Sequence, residues 1–332
     1  MPKVNLIMSV YNQEDYLHDS INSILNQTFR DFDFLIINDG STDKSVEIIE
    51  SFSDKRIRFI NNSKNIGLIS SLNIGLSESL DAKYIARMDS DDIAYPTRLE
   101  EQLKILDDHT QIGLLGTGVK YFGDNLKSYL KYPPVSHRNL VANLICQNPF
   151  YHPTMMIRNR VLIENGLHYS TEFPKYDDYA LWIDMIGTCE FANIQKVLLN
   201  YRRHELNEGA VNNRNYELDV ELFQKIMLKL SDKLSFKLSV DQLSIISVIT
   251  SPSRAKFKVD IGLEDILALG RHLKETISSK LLSKEYLMFK FFERSLLYFL
   301  INNRKVDAIK LISKGNYQNA LKLVYNYSTR KD

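Results

Sequence analysis

Over the first 110 residues, short apolar runs alternate with amphipathic stretches. "VNLIMSV" (4–10), "FDFLIIND" (32–39), "IRFINN" (57–62) and "AKYIARMD" (82–89) predict four strands. Between them, Tyr16, Ile21, Ile24 and Leu25 form a stripe at helical spacing. "DKSVEIIESF" (43–52), "GLISSLNIGLSES" (67–79) and "PTRLEEQLKILDD" (96–108) predict three more helices, the last opening on a proline that a first helical turn tolerates. Strand–helix alternation with short connections predicts an α/β fold, a mostly parallel sheet flanked by helices on both faces. Ligands of such sheets bind beyond the carboxyl ends of the strands. Asp39 and Asp89 both fall at such ends.

The pattern then changes twice. From residue 113 to about 205 it is less regular: "IGLLGTGVKYFG" (112–123), "PTMMIRN" (153–159) and "KVLLNYRRH" (196–204) predict strands and "YDDYALWIDMIG" (176–187) a helix. After Asn213, apolar residues recur at helical spacing through "YELDVELFQKIMLKLS", "LEDILALGRHLKETISSKLL" and "YLMFKFFERSLLYFLINN". Residues 1–213 are therefore expected to form the α/β domain and residues 214–332 an all-helical C-terminal region.

Charge sharpens that division. Residues 221–332 hold 20 of the 42 basic and 11 of the 41 acidic residues, so an acidic front and a basic rear lie behind a net charge of +1. A basic rear suits an anionic partner or a solvated, lysine-rich helical surface. Two cysteines, Cys146 and Cys189, are too few for a disulfide framework and fit a reducing compartment. The N-terminus reads as a strand rather than a signal peptide, and no run of about 18 uncharged apolar residues predicts a spanning helix.

The chemistry is concentrated in "IARMDSDDIAYPTRLEEQ" (85–102), where Asp89, Asp91 and Asp92 crowd within four positions. A divalent cation held against a diphosphate would compensate them, since hard ions take oxygen ligands. The alternative is an acidic turn, for which Asp and Ser are well suited. Neighbouring strand ends add to the first reading. Asp39 in "IINDGSTD" suits a base N–H or a ribose hydroxyl, with Gly40 allowing a sharp exit, and Tyr11 in "SVYN" suits stacking on a base or a half-buried sheet edge. An aromatic, an acceptor and a metal site at adjacent strand ends match a nucleotide diphosphate.

With those residues in place, the chain resembles the family 2 glycosyltransferases, whose nucleotide-binding fold is called GT-A. The likeness runs through "SVYNQEDYLHDSINSILNQTF", "FDFLIINDGSTDKS", "NIGLISSLNIGL" and "YIARMDSDDIAYPTRLEEQ", and continues through "HPTMMIRN", "YDDYALW" and "YRRH", over roughly residues 1–210. It implies a nucleotide-sugar donor, usually a UDP-sugar though GDP- and dTDP-sugars also occur in the family, with Val10, Tyr11, Asn12, Asp39, Asn65, Asp89 and Ser90 in the nucleotide-sugar pocket. Asp91 matches the metal-binding second Asp of the Asp-x-Asp motif, and His204 a place where some members supply a metal or phosphate ligand. Mn²⁺ or Mg²⁺ is the implied cofactor. Asp178 matches the catalytic base, and His152, Asp177 and Trp182 fall at the acceptor or sugar pocket, Trp182 as a pocket wall or a core residue. Ala180 replaces a polar neighbour common in the motif. Arg202 and Arg203 suit a diphosphate, because a guanidinium pairs bidentately with phosphate, and either equally suits a bridge to the acidic loops.

The resemblance implies an inverting hexosyl transfer to a lipid-linked glycan acceptor in O-antigen or capsule synthesis, in the cytoplasm or at the inner face of its membrane, with no nucleic-acid partner. The basic helical region would contact an anionic membrane, pack on the catalytic domain or form a homo-oligomer. A nucleotidyltransferase would also use carboxylate-bound metal on a parallel sheet, but "SVYNQEDY" lacks the Gly-rich, basic phosphate loop expected after its first strand. A non-catalytic nucleotide-sugar-binding protein is the other alternative.

Overall fold

In a computed structural model, the described residues are 3–124, 126–204, 216–250, 261–278, 280–302 and 304–315. The expected boundary at residue 213 and the last 17 positions, 316–332, lie outside them. The chain divides into two compact units: residues 1–140 with 149–211, and residues 141–148 with 212–332.

The first unit is built on a nine-stranded sheet. Strands β1 (Val4–Val10), β2 (Phe32–Asn38), β3 (Ile57–Asn61) and β4 (Tyr84–Asp89) are parallel in the order β3-β2-β1-β4. β1 and most of β2 are buried along their whole length because helices cover both faces, which is why their sequences show apolar runs rather than alternation. Those helices are α1 (Leu17–Leu25), α2 (Ser45–Glu50), α3 (Leu68–Ser77) and α4 (Arg98–Asp108). The sheet continues through the antiparallel β8 (Met156–Arg158) to the long β6 (Ile112–Phe122), which pairs in parallel with β9 (Glu190–Arg202). β5 (Ile93–Ala94) joins the far side of β9, and β7 (Tyr129–Lys131) returns along β6. α5 (His137–Asn143) begins in this unit and ends in the second, and two further short helices, α6 (Asn159–Asn165) and α7 (Asp177–Met185), complete the connections.

Several elements differ from the sequence reading. His152–Thr154 is a 3₁₀ turn, so the strand expected over residues 153–159 shortens to β8, and Asn159 already opens α6. β9 begins at Glu190 rather than 196 because the whole of β6 supplies it with a partner. β5 and β7 are too short to carry a period.

Register matters most at one end of the sheet. Val10 pairs with Asn38 and Ser9 with Asp89, so β1, β2 and β4 finish side by side. The three connections that follow them are therefore neighbours.

The second unit holds α8 (Tyr216–Lys233), α9 (Val240–Ile249), α10 (Leu263–Thr276), α11 (Lys284–Ile301) and α12 (Lys305–Gly315). Ser239 and Gln242 close a capping box at α9, and Gly270 on α10 leaves room for the Phe291 ring of α11. Cys146 is wholly buried, and burial pushes its thiol up to about 12. Among the described residues, no helix is long and apolar enough to cross a membrane.

Candidate functional site

The connections after β1, β2 and β3 brace one another through side-chain-to-backbone hydrogen bonds. Asn12, at a left-handed φ of 50°, accepts the Thr42 N–H on Oδ1 at 2.9 Å, and its own N–H donates to Ser41 Oγ at 3.0 Å. Asp39 is 2% exposed, and its two carboxylate oxygens accept the N–H groups of Ile66 and Gly67 at 2.8 and 3.0 Å. Asn65 Oδ1 accepts the Gly67 N–H as well, at 3.0 Å. Gly40, at φ +70°, lies where a Cβ would sit 2.3 Å from the Lys64 carbonyl carbon. Only glycine fits a position so close to backbone. Val10 is fully buried and ends β1, while Tyr11 directly after it is 46% exposed. Asp39 is thus first a clamp on the 66–67 turn.

The acidic cluster sits beyond β4. Oxygens of Asp89, Asp91 and Asp92 approach within 4.8 Å of one another, the one such cluster of potential metal ligands among the described residues. The sequence suggests that their countercharge arrives with a ligand. In the structure the chain itself supplies part of it as well. Arg87, 4% exposed, donates from Nη2 to Asp89 Oδ1 at 2.6 Å and from Nη1 to the Met88 carbonyl. Arg98 on α4 is wholly buried behind the loop, donating to the Arg87 carbonyl at 2.6 Å and to Gln102 Oε1 at 3.1 Å. His204 Nε2 lies 2.9 Å from Asp91 Oδ2. Arg202 at the end of β9 donates its backbone N–H to Asp92 Oδ1 at 2.7 Å and its Nε–H to the Asp91 carbonyl at 2.8 Å. The Arg202 guanidinium is sandwiched by Tyr16 and Phe122, 4.8 and 4.6 Å from their ring centres. Tyr16 also packs on the His204 ring, with centroids 4.6 Å apart.

Asp92 keeps an unmet demand. It is 1% exposed and its Oδ2 has no hydrogen-bond partner among the described residues. Burial first, then the Asp91 and Asp89 carboxylates, push its acid well above the usual range. A buried orphan oxygen beside two further carboxylates is an all-oxygen donor set suited to a hard divalent cation. Mn²⁺ or Mg²⁺ fits these residues. Ser90 is buried between the ligand candidates.

A second group of polar residues lies on α7 and the turns before it. Asp177 and Asp178 occupy the first turn of α7, where the helix dipole favours negative charge. Asp178 Oδ1 accepts the Tyr179 N–H at 2.6 Å. Trp182 is wholly buried, edge-on to Phe150 and His152 at 5.9 and 6.1 Å between centroids. His152 Nε2 meets the Tyr169 hydroxyl at 2.9 Å. Burial, helped by Arg87, pushes His152 well below the usual imidazole range, and burial pushes the Tyr169 phenol up. Arg87, Asp177, Asp178 and Asp89 are the charged groups that act on this phenol besides burial. Its backbone is pinned by Asn73 of α3, which donates to the Tyr169 carbonyl at 2.8 Å and accepts its N–H at 3.0 Å. Arg203 differs from Arg202. It is exposed and lies over the Tyr121 ring at 5.9 Å.

Tyr169, Asn73, Tyr16 and Arg98 escaped the sequence reading. Arg98 alone had a signal, because with Gln102 it places polar groups at helical spacing on the face carrying Leu99, Leu103 and Leu106.

Comparison with known proteins gives this arrangement a family. Residues 5–167 match the model for Glycosyl transferase family 2. An uncharacterized glycosyltransferase of Haemophilus influenzae is 35% identical over 223 residues, which span 64% of this chain and 69% of the relative. The O-antigen biosynthesis glycosyltransferase WbnJ of Escherichia coli is 34% identical over 212 residues, 60% of this chain and 80% of the relative. In fold, the chain is similar to residues 1–349 of S. aureus TarS in complex with UDP-GlcNAc, at a TM-score of 0.59 and 18% identity over 92% of this chain and 89% of that one. It is also similar to the mannosyltransferase PcManGT of Pyrobaculum calidifontis in complex with GDP-Man and Mn²⁺, at a TM-score of 0.54 and 14% identity over 94% of this chain and 87% of that one. With its strand ends converging on a cluster of aspartates, the chain belongs to glycosyltransferase family 2 and is a glycosyltransferase of the GT-A fold.

Proposed function

We propose that the protein transfers a hexose or N-acetylhexosamine, with inversion and with a divalent cation, from a UDP-sugar to a hydroxyl of a polyprenyl-diphosphate-linked oligosaccharide in O-antigen or capsule synthesis. The observation that carries this reading is the convergence of Asp89, Asp91 and Asp92 at the end of β4, with an orphan oxygen on Asp92. The O-antigen relative and the UDP-GlcNAc-bound structural neighbour support the choice of acceptor and donor class.

In this reading Tyr11 lies against the base, and Asp39 and Asn65 shape the nucleotide pocket through the turn they hold. Asp91, with Asp89 and Asp92 near it, would hold a divalent cation, which when bound would supply countercharge for the leaving diphosphate. Arg202, already oriented by two rings and its Nε bond, presents the outer edge of its guanidinium to the phosphates, and His204 keeps the Asp91 carboxylate aimed. Asp178 takes the proton from the acceptor hydroxyl as its oxygen bonds to the anomeric carbon and the bond from that carbon to the diphosphate oxygen breaks, its electrons leaving with UDP. Asp177, His152 and Trp182 form the wall beside the reacting sugar. The helical unit and the basic rear then serve the acceptor, the membrane surface or a second copy.

The test pairs two variants, with UDP-Glc, UDP-Gal, UDP-GlcNAc and UDP-GalNAc screened as donors. Asp178→Asn should lower turnover by about 10²–10⁴-fold while UDP affinity, read by calorimetry, stays near that of the parent. Asp91→Ala should weaken UDP binding only where Mn²⁺ is present. Loss of turnover and affinity together in Asp178→Asn would remove Asp178 from the role of base.

A further inference from the structure

Five of the fourteen large apolar side chains exposed among the described residues fall within ten positions: Leu126, Tyr129, Leu130, Tyr132 and Val135, at 36–52%. They lie on and around the β6–β7 hairpin, where every residue of β7 is exposed. The base of this hairpin is fastened. Asn193 and Gln195 on β9 donate to the carbonyls of Pro134 and Pro133 at 3.0 and 2.7 Å, and the Tyr129 ring stacks on Tyr121 at 4.9 Å. Exposed apolar side chains gathered in one short segment on an anchored support mark an interaction surface.

Its charge narrows the partner. Lys127 and Lys131 are exposed among the apolar residues, Lys131 with its Nζ 6.0 Å from the Tyr129 ring centre, and Lys120 pairs with Leu130 across the ladder, while Asp124 is the acidic residue within the sequence 120–135. Long lysine stems reach from apolar depth to polar headgroups, and tyrosine suits the boundary between them. A second copy of the chain fits less well. Lysine on an exposed strand edge discourages pairing, and Pro133 and Pro134 stop the strand from lengthening.

We infer that the β6–β7 hairpin is a docking element for an anionic lipid surface, entering the headgroup boundary with Leu126, Leu130 and Tyr132 while Lys127 and Lys131 meet acidic headgroups. From Tyr129, ring contacts run through Tyr121 to Tyr201, the residue before Arg202. A docked hairpin therefore brings the lipid surface to the strand that carries the candidate diphosphate contact. This extends the acceptor part of the proposed function, and it is measured without a sugar donor.

The experiment is co-sedimentation of the full chain with vesicles of phosphatidylglycerol mixed into phosphatidylcholine and with vesicles of phosphatidylcholine alone. The parent should sediment with the first and not the second, and high salt should release it. Each lysine near an anionic surface is worth roughly five-fold in partition, so Lys127→Glu with Lys131→Glu should lower binding roughly thirty-fold or more. Leu126→Ser with Leu130→Ser should lower it at least roughly ten-fold. Both variants should keep the parent's thermal midpoint and rate of donor hydrolysis. A parent that ignores anionic vesicles, or variants that bind as the parent does, would overturn the inference. So would a parent dimer on size exclusion that the leucine variant converts to monomer without any vesicle binding. Absence of donor hydrolysis in the parent counts against the proposed function and leaves the vesicle result standing.

Discussion

Asp39→Asn separates a carboxylate's structural work from its ligand work. Asparagine has nearly the same volume, so the change opens no cavity. One oxygen of the parent accepts the Ile66 N–H at 2.8 Å and the other accepts the Gly67 N–H at 3.0 Å. The amide can accept only one of these, and its NH₂ then faces the other donor. A hydrogen bond to a charged group contributes about 1.5–3 kcal/mol, and a donor left unmet costs about 1–3 kcal/mol more. Ile66 is 37% exposed, so water relieves part of the second term and the total falls at about 2–4 kcal/mol. Asn65 Oδ1 still holds the Gly67 N–H, which makes the Ile66 side the more vulnerable. Amide hydrogen exchange reads the effect locally. Protection at Ile66 and Gly67 should fall by about 30- to 1000-fold, and the urea midpoint should drop by about 1 M. UDP affinity should weaken with it, because the turn that Asp39 holds carries Asn65. Unchanged protection, with a midpoint within about 0.5 kcal/mol of the parent, would refute the clamp.

Two further predictions follow from the same structure. Gly40→Ala combines a left-handed φ with a Cβ 2.3 Å from backbone, and should destabilise by about 2–5 kcal/mol in urea melts, whereas Gly166→Ala, with open space around it, should cost only the conformational part. Burial pushes His137 and His152 below the ordinary imidazole value of 6.5, and His137 Nδ1 already accepts the Phe191 N–H at 3.0 Å. Below pH 6.5 the unfolded chain takes up protons that these histidines refuse, so stability falls as pH falls, by up to about 1.4 kcal/mol per pH unit for each. His152→Gln should flatten that slope relative to the parent between pH 6.5 and 5, and an identical slope in the two proteins would count against it.

The inner parallel strands were legible because burial on both faces writes itself into sequence as nearly unbroken apolar runs. "FDFLIIND" is such a run, and the aspartate that ends it marks the strand's carboxyl end. The role of Arg98 behind the acidic loop was only faintly legible. Arg98 and Gln102 sit in the apolar stripe of α4, where a charge reads as an interruption, and only three dimensions reveal that the stripe faces the Arg87 carbonyl. Tyr169 lies 17 residues from His152 and 96 from Asn73, with no local pattern linking it to either. β7 escaped because a strand exposed on both faces has no hydrophobic period.

Residues 141–148 belong to the helical unit although the chain makes them some 60 residues before that unit resumes at 212. Leu144, Ile145 and Cys146 are wholly buried. On a ribosome the segment emerges early and must wait, apolar side chains uncovered, until the C-terminal helices have been synthesised. The α/β unit, whose own pieces are finished by residue 211, therefore cannot be released by one cut in the chain without carrying along this segment of the helical unit.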